Sequence, residues 1–323
     1  MKAIRFEKTG GPEVLQFVDV DLPAPAAGEV RLRHTAIGLN FVDTYYRSGL
    51  YPSALPSGLG NEAAGVIEAL GPGVKGFKVG DRVAYGTGAL GAYAQARNIG
   101  TARLVKLPKS ISDETAAAMM LKGMTVRYLL RATYKVKRGQ TILFHAAAGG
   151  VGLIFCQWAK ALGVKVIGTV GNAEKAAIAL AHGCTHVIDT SKEDIVKRVR
   201  EITGGAGVPV VYDAVGQATF NASLDCLQPR GLLVSFGNAS GPVSAFNLGI
   251  LSAKGSLYVT RPTLFNYTSK DEDFKETAQD LLDIVKSGKV KIVVNQRYPL
   301  ADAAKAHADL EGRRTTGATV LIP

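Results

Sequence analysis

The 323-residue sequence predicts a two-domain α/β protein, an irregular β-barrel joined to a doubly wound parallel sheet. Three observations carry that expectation. Before Leu121 the chain has short alternating runs broken by Gly and Pro; after Thr141 strand-like apolar runs alternate with helical ones; and its length exceeds one usual core. A hydrophobic fraction of 47% and a charged fraction of 20% are ordinary for a globular protein.

The barrel is read from Glu29 to Ala36, Glu62 to Leu70 and Asp81 to Ala84, separated by turn signals such as Gly10-Gly11-Pro12 and Gly71-Pro72-Gly73. Thr115 to Ala132, rich in Ala, Met and Leu, follows as a helical bridge. The wound sheet then takes a strand at Thr141 to Phe144, a strand at Lys165 to Thr169, a helix near Ala173 to Ala181 and a strand at His186 to Asp189. A helix near Asp194 to Ile202 and strands at Val208 to Tyr212 and Gly231 to Phe236 complete it. The tail predicts a helix near Glu272 to Ser287, a strand at Val290 to Val294, a helix near Ala301 to Leu310 and a closing strand at Ala318 to Ile322 that returns to the barrel. Residues 1–122 and 265–323 thus form one domain and 123–264 the other.

The segment Thr141 to Gly152 runs from an apolar strand through a small-residue turn into a helix. Val151, Ile154, Phe155, Trp158, Ala159 and Leu162 recur at helical spacing, so the turn joins a buried strand to a helix packed on it. Against the Rossmann dinucleotide pattern, Ala147 holds the first glycine position, with Gly149 and Gly152 in the other two. Small residues let the backbone approach a pyrophosphate, and the helix N-terminus offers it unpaired N–H groups.

A chain that prefers NAD carries an acid about 20 residues beyond that loop, to bind the adenosine ribose hydroxyls. Here the region reads Gly168-Thr169-Val170-Gly171-Asn172, without a carboxylate. Lys175 follows, in the first turn of a helix whose dipole opposes a cation unless an anion accompanies it. A 2′-phosphate is such an anion, and the expected cofactor is NADP(H). Asp189 closes the third strand and is expected to cap the turn Asp189-Thr190-Ser191.

No signal peptide opens the sequence and no apolar run is long enough to span a bilayer, which predicts a cytoplasmic protein. Cys156, Cys184 and Cys226 form no CxxC pair and read as small buried thiols. His34, His145, His182, His186 and His307 are dispersed and read as structural. The net charge of +11 admits RNA binding as a function of another class, but the basic residues are scattered and not interleaved with aromatics. Attraction of an anionic cofactor accounts for the charge equally well.

The segments Gly58-Leu59-Gly60-Asn61-Glu62-Ala63-Ala64-Gly65, Val79-Gly80-Asp81-Arg82-Val83 and Ala146 to Gly152 resemble the medium-chain dehydrogenase/reductase superfamily, whose first domain is GroES-like. Within it, Asn40 to Pro52 and Val234 to Asn238 resemble the bacterial NADPH:quinone oxidoreductases related to zeta-crystallin. The similarity covers the whole chain. Zinc alcohol dehydrogenases of the superfamily supply a cysteine near Asn40 and a histidine at Asn61, and both are missing here, as are the cysteines of the structural zinc. No metal is therefore expected. Without a Lewis acid the acceptor must take hydride easily, as an electron-poor quinone does.

The resemblance implies hydride transfer from NADPH to quinones in a dry cleft, with reduction of alkenal or enone double bonds as the alternative, by a homodimer paired through Gly255 to Thr260. It implies that Asn40 and Tyr45 line the nicotinamide end and Tyr51 the quinone side, each phenol able to hydrogen-bond a quinone oxygen or give it a proton. Gly149, Gly150 and Val151 would meet the pyrophosphate with Thr125 nearby, and Phe236 and Asn238 the ribose or nicotinamide. Gly171, Lys175 and Arg313 would hold the 2′-phosphate. Relatives place a tyrosine beside that phosphate where this chain has Thr190, with Ser191 next, and a hydroxyl there can still donate a hydrogen bond.

Overall fold

Short strands between glycine turns build the first of two units in the computed structural model, which describes residues 1–323. This unit comprises Met1–Met124, Thr268–Lys286 and Ile292–Pro323; the second comprises Thr125–Tyr267 and Ser287–Lys291. The first unit begins with β1 (Lys2–Phe6), β2 (Gln16–Asp19), β3 (Glu29–Leu39), α1 (Phe41–Ser48) and β4 (Ser57–Gly58). Then come β5 (Ala63–Leu70), β6 (Arg82–Tyr85), β7 (Ala96–Gly100), β8 (Val105–Lys106) and α2 (Asp113–Tyr128). β3 alternates buried and half-exposed residues before ending in a fully buried stretch, and it pairs antiparallel with both β5 and β7. A separate small sheet has the order β2-β1-β4.

The predicted bridge helix ends earlier than expected. α2 closes at Tyr128 and the chain continues through Leu129–Thr133 as one π-helical turn, where the Leu129 carbonyl accepts from Tyr212 Oη at 3.1 Å. The small residues Ala116, Ala117 and Ala118 are fully buried, so α2 has no solvent face there to give an amphipathic signal.

The second unit contains β9 (Thr141–Phe144), α3 (Gly150–Ala161), β10 (Lys165–Val170), α4 (Ala173–Ala181), β11 (His186–Asp189), α5 (Ile195–Ile202) and β12 (Val208–Asp213). It continues through α6 (Phe220–Asp225), β13 (Leu227–Ser235), α7 (Gly249–Ala253), β14 (Tyr258–Thr260) and α8 (Leu264–Tyr267). Its sheet is parallel throughout, in the order β11-β10-β9-β12-β13-β14. That order reverses between β9 and β12, and open sheets bind ligands beyond the strand ends at such a point. Asp194 proves to be the N-cap of α5 rather than its first residue, its side chain accepting from Lys197 N at 2.7 Å. β13 starts four residues before the expected Gly231, because Leu227 already pairs with Val208 ahead of an irregularity that contains Arg230 at φ 60°.

The remaining elements are α9 (Asp271–Lys286), β15 (Val294–Pro299), α10 (Ala303–Glu311) and β16 (Ala318–Ile322). β16 adds antiparallel to β3 and parallel to β15, completing the larger sheet. The strand expected at Val290 to Val294 lies instead at Val294–Pro299. Gln157 of α3 takes the backbone of Lys291, donating to its carbonyl and accepting from its N–H, both at 2.9 Å, so no neighbouring strand is needed there.

Candidate active site

The turn after β9 is shaped for a close-approaching anion. Gly149 is the N-cap of α3 and provides no side-chain hydrogen bond, which leaves the first helical N–H groups, including those of Gly150 and Val151, without an intrahelical acceptor. Gly152 is required sterically, since a Cβ there would stand 2.5 Å from the Ala147 carbonyl oxygen and 2.6 Å from that of Ala146. Ala146 itself is left-handed, at φ 58°. Ala147 holds its position because the strand beside it gives way: a Cβ on Gly168 would meet Ala147 Cβ and Cys184 Sγ, each at 2.6 Å.

Behind the turn, His145 is fully buried between Thr169 Oγ1 and Ser223 Oγ, each at 3.0 Å, and burial holds its pKa below the usual imidazole range. Ser223 donates onward to Asp213 Oδ2, and Asp213 also accepts from Val215 N, Gly216 N and Thr219 Oγ1. His145 is thus a structural histidine, as expected. His34 and His307 are likewise buried and hydrogen-bonded, to Ala94 O and Tyr85 Oη in one case and to Arg47 and Tyr93 in the other. Cys156 and Cys184, remote in sequence, meet with their sulfurs 3.3 Å apart, and all three cysteines are buried thiols.

At the end of β10, a Cβ on Gly171 would meet nothing within 4 Å, so this edge is open. Asn172 caps α4 by accepting from Lys175 N at 2.9 Å, which fixes Lys175 at the third helical position. Thr190 and Ser191 follow β11. Thr190 Oγ1 donates to the Val170 carbonyl at 3.0 Å and Ser191 Oγ to Asp189 Oδ1 at 2.7 Å. Asp189 closes its turn as anticipated, accepting from Ser191 N at 3.1 Å as well.

Phe236 and Asn238 follow β13, with the Phe236 ring 5.9 Å from that of Phe144. In the amide orientation that satisfies both of its ends, Asn238 accepts from Arg261 Nη2 at 3.0 Å and donates to Gly237 O at 2.9 Å. Arg261 Nη1 donates to Ser235 O at 2.9 Å. Sequence reasoning missed this arginine, although its place directly after β14, at the ligand-facing end of a parallel strand, is the signal that would have found it. Thr125 lies buried on α2 within the second unit. Arg313 belongs to the first unit, at a left-handed position (φ 57°) after α10.

In the first unit, α1 presents the other expected residues. Asn40 precedes the helix and its backbone N–H donates to Asp43 Oδ2 at 2.9 Å, but its side chain turns to Glu62 Oε2 at 2.8 Å. Glu62, fully buried, also accepts from Leu121 N at 2.8 Å and pairs with Lys122 Nζ at 3.0 Å. Gly38 leaves the room for this carboxylate, since a Cβ there would collide with Glu62 and the Ala117 carbonyl. Tyr45 is buried and Tyr51 half-buried, with ring centroids 5.2 Å apart edge to face. Tyr51 also meets Tyr46 edge-on at 5.6 Å. Asn61 Nδ2 donates to Gly88 O at 2.8 Å.

Comparison with known proteins identifies the family. A family model described as "Alcohol dehydrogenase GroES-like domain" matches residues 26–109, and one described as "Zinc-binding dehydrogenase" matches residues 150–287. Quinone oxidoreductase of Pseudomonas aeruginosa is 59% identical over 323 residues, covering 100% of this chain and 99% of that one. The chain belongs to the quinone oxidoreductase family. The crystal structure of Escherichia coli quinone oxidoreductase complexed with NADPH, another member, is 56% identical and superposes with a TM-score of 0.98 over 100% of both chains. A 2-haloacrylate reductase of Burkholderia is 46% identical, over 98% of this chain and 97% of that one. In this chain Asn40 and Asn61 are both engaged in the hydrogen bonds described.

Proposed function

We propose that the protein reduces quinones with NADPH, and the observation that carries this reading is the pairing of an anion-ready α3 N-terminus with Lys175 beside an acid-free second strand. The residues fit the cofactor: Gly149, Gly150 and Val151 would take the pyrophosphate, with Ala147 beneath and Thr125 alongside. Lys175 and Gly171 would take the 2′-phosphate. Thr190 and Ser191 lie nearby, and their hydroxyls, which now donate to Val170 O and Asp189 Oδ1, would turn toward the phosphate when it binds. Phe236 and Asn238, the latter held by Arg261, would position the nicotinamide half. Bound NADPH supplies a hydride.

On the substrate side, Tyr45 and Tyr51 would donate phenolic hydrogen bonds to the quinone oxygens, which gain charge and then protons as the ring is reduced. Asn40, its amide fixed by Glu62, is a rigid wall for that pocket. Stopped-flow oxidation of NADPH with 1,4-benzoquinone and naphthoquinones tests the reading. Rapid cofactor oxidation is expected, and no turnover with any of them would sink it.

The 2-haloacrylate reductase among its relatives favours a second activity, addition of hydride to an activated carbon–carbon double bond. Turnover of 2-alkenals measured beside that of quinones separates the two. No helix is long and apolar enough to cross a membrane, and we assign the enzyme to the cytoplasm, where NADPH is available. A homodimer joined through β14, an edge of the parallel sheet, completes the proposal.

A further inference from the structure

Within the first unit a cavity of about 480 Å³ is lined by Arg5, Tyr46, Ser53, Ser57, Asn61 and Gly88, among others. Its volume is that of a small-molecule site. Arg5 is the only charged residue on its walls, and no carboxylate lines it. The Arg5 guanidinium has neither an ion pair nor a hydrogen bond within the protein. It extends from β1 over its cross-strand partner Gly58, with Nη1 3.6 Å from the place a Cβ would occupy. Arg97 donates to the carbonyls of two lining residues, Ala89 at 3.2 Å and Leu90 at 3.5 Å.

Two buried polar atoms of the lining residues, Ser53 Oγ and Asn61 Oδ1, have no hydrogen-bond partner. Atoms of this kind are completed by water or by a polar group of a ligand. Tyr46 joins the cavity to the aromatic cluster, since its ring meets Tyr51 edge-on.

We infer that this cavity recognises a carboxylate arm on the substrate, with Arg5 as its cation, an inference that rests on Tyr45 and Tyr51 facing the quinone. A guanidinium with free donors binds a carboxylate through two parallel hydrogen bonds. The Ser53 hydroxyl donates a third. One water, giving a proton to Asn61 Oδ1 and the other to the carboxylate, satisfies the remaining acceptor. A single cation matches a monoanion, whereas a phosphate dianion would call for more positive charge.

The test compares a 1,4-naphthoquinone bearing a propanoate arm with its methyl ester, which keeps the shape and loses the charge. The wild-type enzyme is expected to show the higher kcat/KM for the acid. Arg5→Gln is expected to lower kcat/KM for the acid roughly tenfold to hundredfold, mainly through KM, while leaving the ester within about twofold. Arg5→Lys should retain part of the preference. Equal losses for acid and ester, or no preference in the wild type, would overturn the site while leaving quinone reduction intact. Should neither quinone be reduced, the activity falls instead, and equilibrium binding of the acid to wild-type and Arg5→Gln protein still decides: tighter binding by the wild type supports the site, equal binding removes it.

Discussion

Lys175 stands where a cation is disfavoured by the helix dipole, its backbone fixed by Asn172, which makes sense if an anion is its usual neighbour. Lys175→Ala is expected to raise KM for NADPH by roughly tenfold to hundredfold and KM for NADH by less than about twofold, as steady-state kinetics would show. Equal effects on both cofactors would remove the phosphate role. Gly168 makes a different prediction, about stability. Gly168→Ala forces a methyl against Ala147 and Cys184 and should cost about 1–3 kcal/mol, measurable by urea denaturation. The small-residue turn and the place of Lys175 in the first turn of α4 were legible in the sequence because each has a local signature. Arg5, Arg261 and the Cys156–Cys184 contact were not, since their meaning comes from partners brought together by the sheet.

At the scale of the element, α1 hangs on one buried carboxylate. Asp43 accepts from Asn40 N and from Tyr93 Oη, both at 2.9 Å, while its Oδ1 has no partner. Burial pushes its pKa up to about 7, against the pull of the Asn40 and Tyr93 hydrogen bonds and of Lys122, with Glu62 adding to the rise. Tyr93 passes the network to His307, and His307 to Arg47, which pairs with Glu311. An acid whose folded pKa is raised binds more protons folded than unfolded, so its contribution to stability is present at low pH and is lost as pH rises from about 4 to about 7. His307, lowered to about 3 by burial and by Arg47, works in the opposite direction as pH rises from about 3 to the usual imidazole range. Asp43→Asn removes only the first contribution. Denaturant titrations should therefore show the variant gaining stability relative to the wild type between pH 4 and 8. A constant difference across that range would refute the assignment. The strands and helices themselves were largely readable from periodicity, and the errors fall where tertiary contacts replaced a local signal, as at Lys291 with Gln157 and in the π-helical turn held by Tyr212.

For the whole molecule, the parallel sheet ends at β14, whose outer edge has no strand beside it, and Tyr258 on that strand is 61% exposed. Pairing two such edges across a twofold axis would join two sheets into one. Sedimentation should then give twice the chain mass for the wild type, and Tyr258→Glu, which places like charges near the axis, should shift it toward the monomer. A wild type that sediments as a monomer at all concentrations would exclude this assembly. The two-part organisation was readable because the kind of pattern changes along the chain, from glycine-broken alternation to alternating strand and helix. The discontinuity of the second unit, which takes Ser287–Lys291 from the tail, was not, since five residues carry no pattern of their own.

The contact between Ala147 and Gly168 also bears on how such sites drift over evolutionary time. The backbone tolerates one methyl in the space between the two strand ends and lacks room for a second. Occupancy of that space is therefore shared between two positions 21 residues apart. Ala147→Gly should relieve the part of the Gly168→Ala clash that Ala147 causes, while the contact with Cys184 Sγ remains, so the double exchange should recover only part of the stability that the second change alone destroys. A search for three glycines along one loop would pass over such a chain, because Ala147 holds the first position and the glycine that makes room for its methyl lies on the neighbouring strand.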